Sequence, residues 1–195
     1  GSALALWHSE YTPDVSKNSK DTMKGSYLGP SYSSEEIKAQ LDQIDANYSL
    51  LSHENLINTV AKDLDKEKII GWFQGRMEFG PRALGNRSII ANAKSKDMQK
   101  KLNMKIKYRE SFRPFAPSVL REHLSKWFSL DVDSPYMMIV AGTNPEINIK
   151  LSAKDEDLFG IDKLNTQRSM IPAVTHVDYS ARIQTVHKET NPIYY

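Results

Sequence analysis

One stretch, Gly71–Arg113, constrains this chain more than any other: GWFQGRMEFGPRALGNRSIIANAKSKDMQKKLNMKIKYRESFR. The apolar run Ile69-Ile70-Gly71-Trp72-Phe73 predicts a buried strand within Lys68–Gln74, and Ser88-Ile89-Ile90-Ala91 predicts a second. The loop between them alternates small residues with arginine: Gly75-Arg76, Gly80-Pro81-Arg82, Gly85-Asn86-Arg87-Ser88. Glycine lets backbone approach a ligand or take a positive φ at little steric cost. Arginine offers a planar fork of donors that fits phosphate or carboxylate. From Gly75 to Arg113, eleven Lys and Arg face three acids, a net of about +8, although the whole chain carries only +2. The remainder is therefore acidic by about 6 charges. Positive charge gathered in this way implies an anion.

The segments GRMEFGPRALGNRSI, then Asn103, then KYRESFRPFAPSVL resemble the C-terminal domain of the O-carbamoyltransferases of nodulation-factor and antibiotic biosynthesis. The resemblance runs from about Tyr27 to Tyr195. It implies a YrdC-like α/β (α+β) fold, a twisted mixed sheet flanked by helices. It also implies an activity: formation of carbamoyl adenylate from carbamoyl phosphate and ATP, for O-carbamoylation of a hydroxyl acceptor. Mg would accompany the ATP, and a preceding ATPase-fold domain would complete the transfer in the cytoplasm. Lys107-Tyr108-Arg109 matches the Lys-x-Arg of YrdC-like domains, whereas no Ser-x-Asn comes after it. The resemblance thus implies that the last elements of the domain lie beyond Tyr195 and that this stretch alone is inactive.

Residues 1–26 read as a lead-in from a preceding domain, Gly1-Ser2 as a possible expression scar, and the polar run Ser9–Ser26 as linker; the domain proper then spans 27–195. Ser33-Ser34-Glu35-Glu36 opens a helix with Ile37, Leu41 and Ile44 on one face. A second runs from about His53 to Leu64, with Leu56, Ile57, Val60 and Leu64 inward as scaffold. A basic helix spans Ser95 or Lys96 to Ile106, with Met98, Leu102 and Met104 inward. Arg113–Leu120 is extended by its prolines, Arg121–Phe128 is a short helix, and Tyr136–Ala141 a strand. Gly142–Met170 reads as a polar loop or flap, Ile171–Asp178 and Tyr179–Val186 as strands joined by a turn, and Asn191-Pro192 as a helix start. Nothing in the chain approaches a membrane-spanning apolar run. With no cysteine and no metal-ligand spacing of histidines, disulfides and thiolate metal sites are excluded.

Joining carbamoyl phosphate to ATP requires fixed cations against two anionic reactants. On a strand, Lys107, Arg109 and Arg113 would share one face, and they are assigned jointly to phosphate and carbamoyl recognition, with Lys107 and Arg109 as the catalytic pair. Arg82 and Arg87, framed by glycine and proline, are further candidates for substrate and nucleotide binding. Asn86 and Ser88 join them as neutral donors, and Arg182 on the nucleotide side. Arg76 is expected to pair with Glu78 or a nearby carbonyl. Glu78 alone is a weak Mg ligand. His176 and Asp178 read as a local hydrogen bond before an acid–base pair. The alternative function is a basic module for RNA or another polyanion, with Trp72, Phe73, Phe79, Tyr108 and Phe112 interleaved among the cations. Against it stand the low net charge and the expectation that Trp72 and the phenylalanines are core.

Overall fold

In the computed structural model, which describes residues 2–11, 21 and 23–195, helices and strands interleave as a mixed α/β chain. The expected linker lies largely outside the described residues. The described part of the lead-in contains α1 (Ser2–Tyr11). Two small sheets carry the fold. β1 (Ile70–Phe73) pairs antiparallel with β2 (Arg87–Ile90), with Trp72 opposite Ser88 and Phe73 opposite Arg87. The second sheet has the order β3 (Ser118–Leu120), β5 (Ser180–Val186), β4 (Ile139–Gly142). Its β3–β5 pair is parallel and its β4–β5 pair antiparallel, so the sheet is mixed. β5 lies between the other two, and five of its seven residues are buried. A near-continuous apolar and polar burial of this kind is what a strand covered on both faces shows.

The main core forms around this strand. Ala181 and Ile183 pack with Val119, Leu124, Phe128, Ile147, Ile171 and Val174. Leu124 belongs to α5 (Leu124–Trp127), which continues a 3-10 turn over Arg121–His123. A smaller cluster joins Met98 and Leu102 of α4 (Met98–Lys105) to Ala173. Phe115 touches both clusters and ties them together.

α2 (Ser34–Gln43) begins with a complete capping box, in which Ser33 Oγ accepts from the Glu36 amide and the Glu36 carboxylate accepts from the Ser33 amide. α3 (His53–Asp65) starts on Ser52, whose hydroxyl accepts from the Asn55 amide. Neither helix buries a residue completely. Ile44, just past the end of α2, is 73% exposed and Ile37 36%, while Leu41 is half-buried. Met104, expected inward on α4, is likewise 53% exposed.

Two further expectations change. Ile171–Asp178 is no strand: Pro172 opens a 3-10 turn over Pro172–Val174, having no N–H to give to a ladder. Gly142–Met170 is no plain loop. It holds a 3-10 turn over Pro145–Ile147, then α6 (Ala153–Glu156) and α7 (Gly160–Asn165). Its two ends are stitched together by Ile149 N–H to Arg168 O (2.8 Å) and Met170 N–H to Ile147 O (2.9 Å).

Candidate active site

The loop between β1 and β2 is folded around a carboxylate. Glu78 is buried, and its Oε1 accepts from the amides of Leu84 (2.7 Å), Asn86 (2.8 Å) and Arg87 (3.2 Å). Burial pushes the Glu78 carboxyl up, but these amides outweigh it and hold it below the usual range. Three backbone donors on one oxygen make Glu78 an anchor of this loop. Gly80 and Gly85 sit at φ +135° and +108°, where a side chain is strained. At Gly85 a Cβ would overlap the Tyr194 ring.

This loop separates its arginines by role. The Arg87 guanidinium donates to the carbonyls of Gln74 (2.6 Å), Asn86 (2.8 Å) and Gly75 (3.1 Å), and lies 3.4 Å over the Phe73 ring. Its fork is spent on backbone. Arg76 donates to the Gly29 carbonyl. Asn86 is buried in a polar hub: its Oδ1 accepts from Gln74 (2.9 Å) and Asn191 (2.8 Å), and its Nδ2 donates to the Arg76 carbonyl. Asn191 also donates to the Tyr27 hydroxyl (2.9 Å). The side chains of Asn86 and Arg87 thus both hold the loop.

Arg82, by contrast, opens into a cleft of about 600 Å³. Ser88, Lys107 and Arg182 line the same cleft. Its apolar wall includes Ile57, Val60 and Leu64 of α3, which explains why that helix is left incompletely buried. Arg182 stands on β5 opposite Val140, and its Nε is buried without a hydrogen-bond partner. Burial, and then the charge of Arg82, lower the proton affinity of Arg182. Among the described residues, no aspartate or glutamate lines the cleft. Ser88 Oγ accepts from the Gly85 amide (2.9 Å), which sets the hydroxyl at the cleft wall.

Lys107, Arg109 and Arg113 do not share a strand face. The segment turns after α4: the amides of Ile106 and Lys107 both reach the Leu102 carbonyl, Tyr108 takes φ +49°, and the Arg113 amide closes on Glu110 O. The prolines at 114 and 117 extend only the later residues. Lys107 alone enters the cleft. Arg109 gives its Nε–H to Asn103 Oδ1 (2.6 Å) and lies 5.0 Å from the Phe115 ring centre. Arg113 pairs with Glu110 at 2.9 Å on the surface.

Sequence reasoning passed over Asn103, Gln74 and Asn191, whose partners lie up to 164 residues away along the chain. Asn103 had a signal in its place within the family-like motif. His176 and Asp178 meet through Ser180, whose hydroxyl donates to Asp178 Oδ1 (2.7 Å) and stands 3.1 Å from His176 Nδ1. Burial lowers the His176 pKa, with the Arg182 charge acting in the same sense and Asp178 opposing. Phe73, Phe79 and Phe112 are 55%, 69% and 51% exposed, so they are surface and not core. Among the described residues, no group of three or more His, Cys, Asp or Glu side chains gathers as a metal site, and no helix is long and apolar enough to cross a membrane.

The family model of the carbamoyltransferase C-terminus matches residues 61–195, which contain Arg82, Ser88, Lys107 and Arg182. The chain belongs to the carbamoyltransferase C-terminal family. It is 54% identical to an uncharacterized protein of Synechocystis over 100% of this chain and 32% of that protein. It is 34% identical to the nodulation protein NolO of Bradyrhizobium diazoefficiens, over 87% of the chain and 28% of the relative. With the 3'-hydroxymethylcephem-O-carbamoyltransferase of Streptomyces clavuligerus it shares 38% identity, over 64% of the chain and 20% of that enzyme. This carbamoyltransferase C-terminal chain thus spans about a third or less of the length of these relatives.

Proposed function

We propose that this chain supplies the adenylate-forming site of an O-carbamoyltransferase: water cleaves carbamoyl phosphate to carbamate and inorganic phosphate, and a carbamate oxygen attacks the α-phosphate of ATP, which releases pyrophosphate and leaves carbamoyl adenylate. One observation carries the reading: Arg82, Lys107 and Arg182 converge on one cleft that no described carboxylate lines. Cations held together without acids repel one another, and an anionic ligand relieves that cost. Arg82 and Arg182 bind phosphoryl oxygens, Lys107 meets charge developing on the transferred group, and Ser88 donates a neutral hydrogen bond. Mg enters as part of the nucleotide substrate. The apolar wall from α3 excludes water from one side. The acceptor hydroxyl and its transfer step belong to the preceding ATPase-fold domain of the longer protein.

The test is carbamoyl-phosphate-dependent exchange of pyrophosphate into ATP by the full-length protein. Exchange is expected from the wild type, with loss of at least about tenfold in Lys107→Ala or Arg182→Ala, each a charged contact of about 1.5–3 kcal/mol. Undiminished exchange in both variants would sink the proposal.

A second reading is favoured by the exposed Phe79, Tyr108 and Phe112 beside the basic segment, a pattern that suits stacking on single-stranded RNA or another polyanion. Binding that collapses steeply with added salt and ignores nucleotide identity would select it.

A further inference from the structure

Asn103 is completely buried, touches no part of the cleft, and yet uses every polar atom of its side chain on one loop. Its Nδ2 donates to the carbonyls of Ser111 (3.0 Å) and Arg113 (2.8 Å), while its Oδ1 accepts from Arg109 Nε (2.6 Å). Its backbone carbonyl accepts from the Arg109 amide (3.0 Å). One helical turn earlier, Gln99 Nε2 donates to the carbonyls of Phe112 (3.0 Å) and Arg113 (3.2 Å). The loop 106–113 is thus tied to α4 at both limbs, with Tyr108, 85% exposed and at φ +49°, at its tip. A non-glycine residue in that conformation persists only where its surroundings enforce it. Lys107 sits directly before it and is the member of the loop that enters the cleft.

We infer that Asn103 is the positioning residue for Lys107, holding the loop in the form that presents the ammonium to an anion in the cleft. The inference rests on the reading of that cleft as an anion site. Asparagine is required because the task needs two donors and one acceptor on a short stem. Aspartate keeps the acceptor for Arg109 but sets a charge against two carbonyls.

The test is calorimetric titration of the full-length protein with carbamoyl phosphate and with inorganic phosphate. Lys107→Ala is expected to weaken binding about tenfold, and Asn103→Asp by a similar factor. The double variant is expected to bind no more weakly than Lys107→Ala alone, because Asn103 acts through the lysine. Additive losses would assign Asn103 a general structural role and overturn the inference. Normal binding by Asn103→Asp beside weak binding by Lys107→Ala would overturn it while leaving the cleft reading intact. No binding by the wild type, or normal binding by Lys107→Ala, would refute the cleft reading and the inference together. If Asn103→Asp fails to unfold cooperatively, Gln99→Ala takes its place in the cycle: coupling to Lys107 is expected, and additivity overturns.

Discussion

Two arginines five residues apart show how differently one side-chain type is used. Arg87 spends its fork on three carbonyls and the Phe73 face, so Arg87→Lys, which keeps the charge, should still lose about 1–3 kcal/mol of stability in urea denaturation. Arg82 lines the cleft with Arg182, whose proton affinity its charge lowers, so Arg82→Ala should leave stability unchanged or raised while anion affinity falls. A destabilised Arg82→Ala would show that its charge is satisfied within the protein. Glu78 sets the acid limit. Its folded pKa lies below the unfolded value, so its contribution is complete above the ordinary glutamate range and is lost as pH falls through the folded value. Glu78→Gln should be less stable near neutrality and should flatten this part of the stability–pH curve. An unchanged slope in acid would remove Glu78 as the loop's anchor.

At the level of elements, the β1–β2 unit and β5 form a frame on which the loops are hung. Gly85 lets the arginine loop pass under Tyr194, at a φ that disfavours any side chain. Gly85→Ala should therefore destabilise by more than the roughly 1 kcal/mol that such a change can gain at an unstrained position, seen as a lower midpoint in urea, and a neutral outcome would mean the turn relaxes freely. Much of this frame was legible. The strands at 69–73 and 88–91, the capping Ser33 and the strand after Tyr179 each register a local rule that tertiary packing did not override. The turn at 106–113 was not legible, because proline at 114 and 117 suggested extension while buried Asn103 imposed a bend from outside the segment. Nor was the fate of Arg87: glycine and arginine in alternation announce an anion equally well whether the fork reaches a ligand or the chain's own carbonyls. α6 had its signal in Ser152, whose hydroxyl caps Asp155, but a run of polar residues concealed it.

For the molecule as a whole, Arg82, Lys107 and Arg182 line one cleft that no described carboxylate lines, so an anion bound there should stabilise the fold. Phosphate should raise the melting temperature in proportion to its binding, whereas chloride at equal ionic strength should not. Equal effects of the two salts would reduce the cleft to diffuse screening. The polar hub has a consequence of another kind. Asn191 joins Tyr27, Gln74 and Asn86, residues that leave the ribosome more than a hundred positions earlier. Until residue 191 is made, the side-chain amides of Asn86 and Gln74 wait without their partner, and Gly85 waits without the ring of Tyr194. The arginine loop thus lacks these contacts until residue 191 has been synthesised. During that interval its cations are free to meet any polyanion nearby, including the RNA of the machine that is making them.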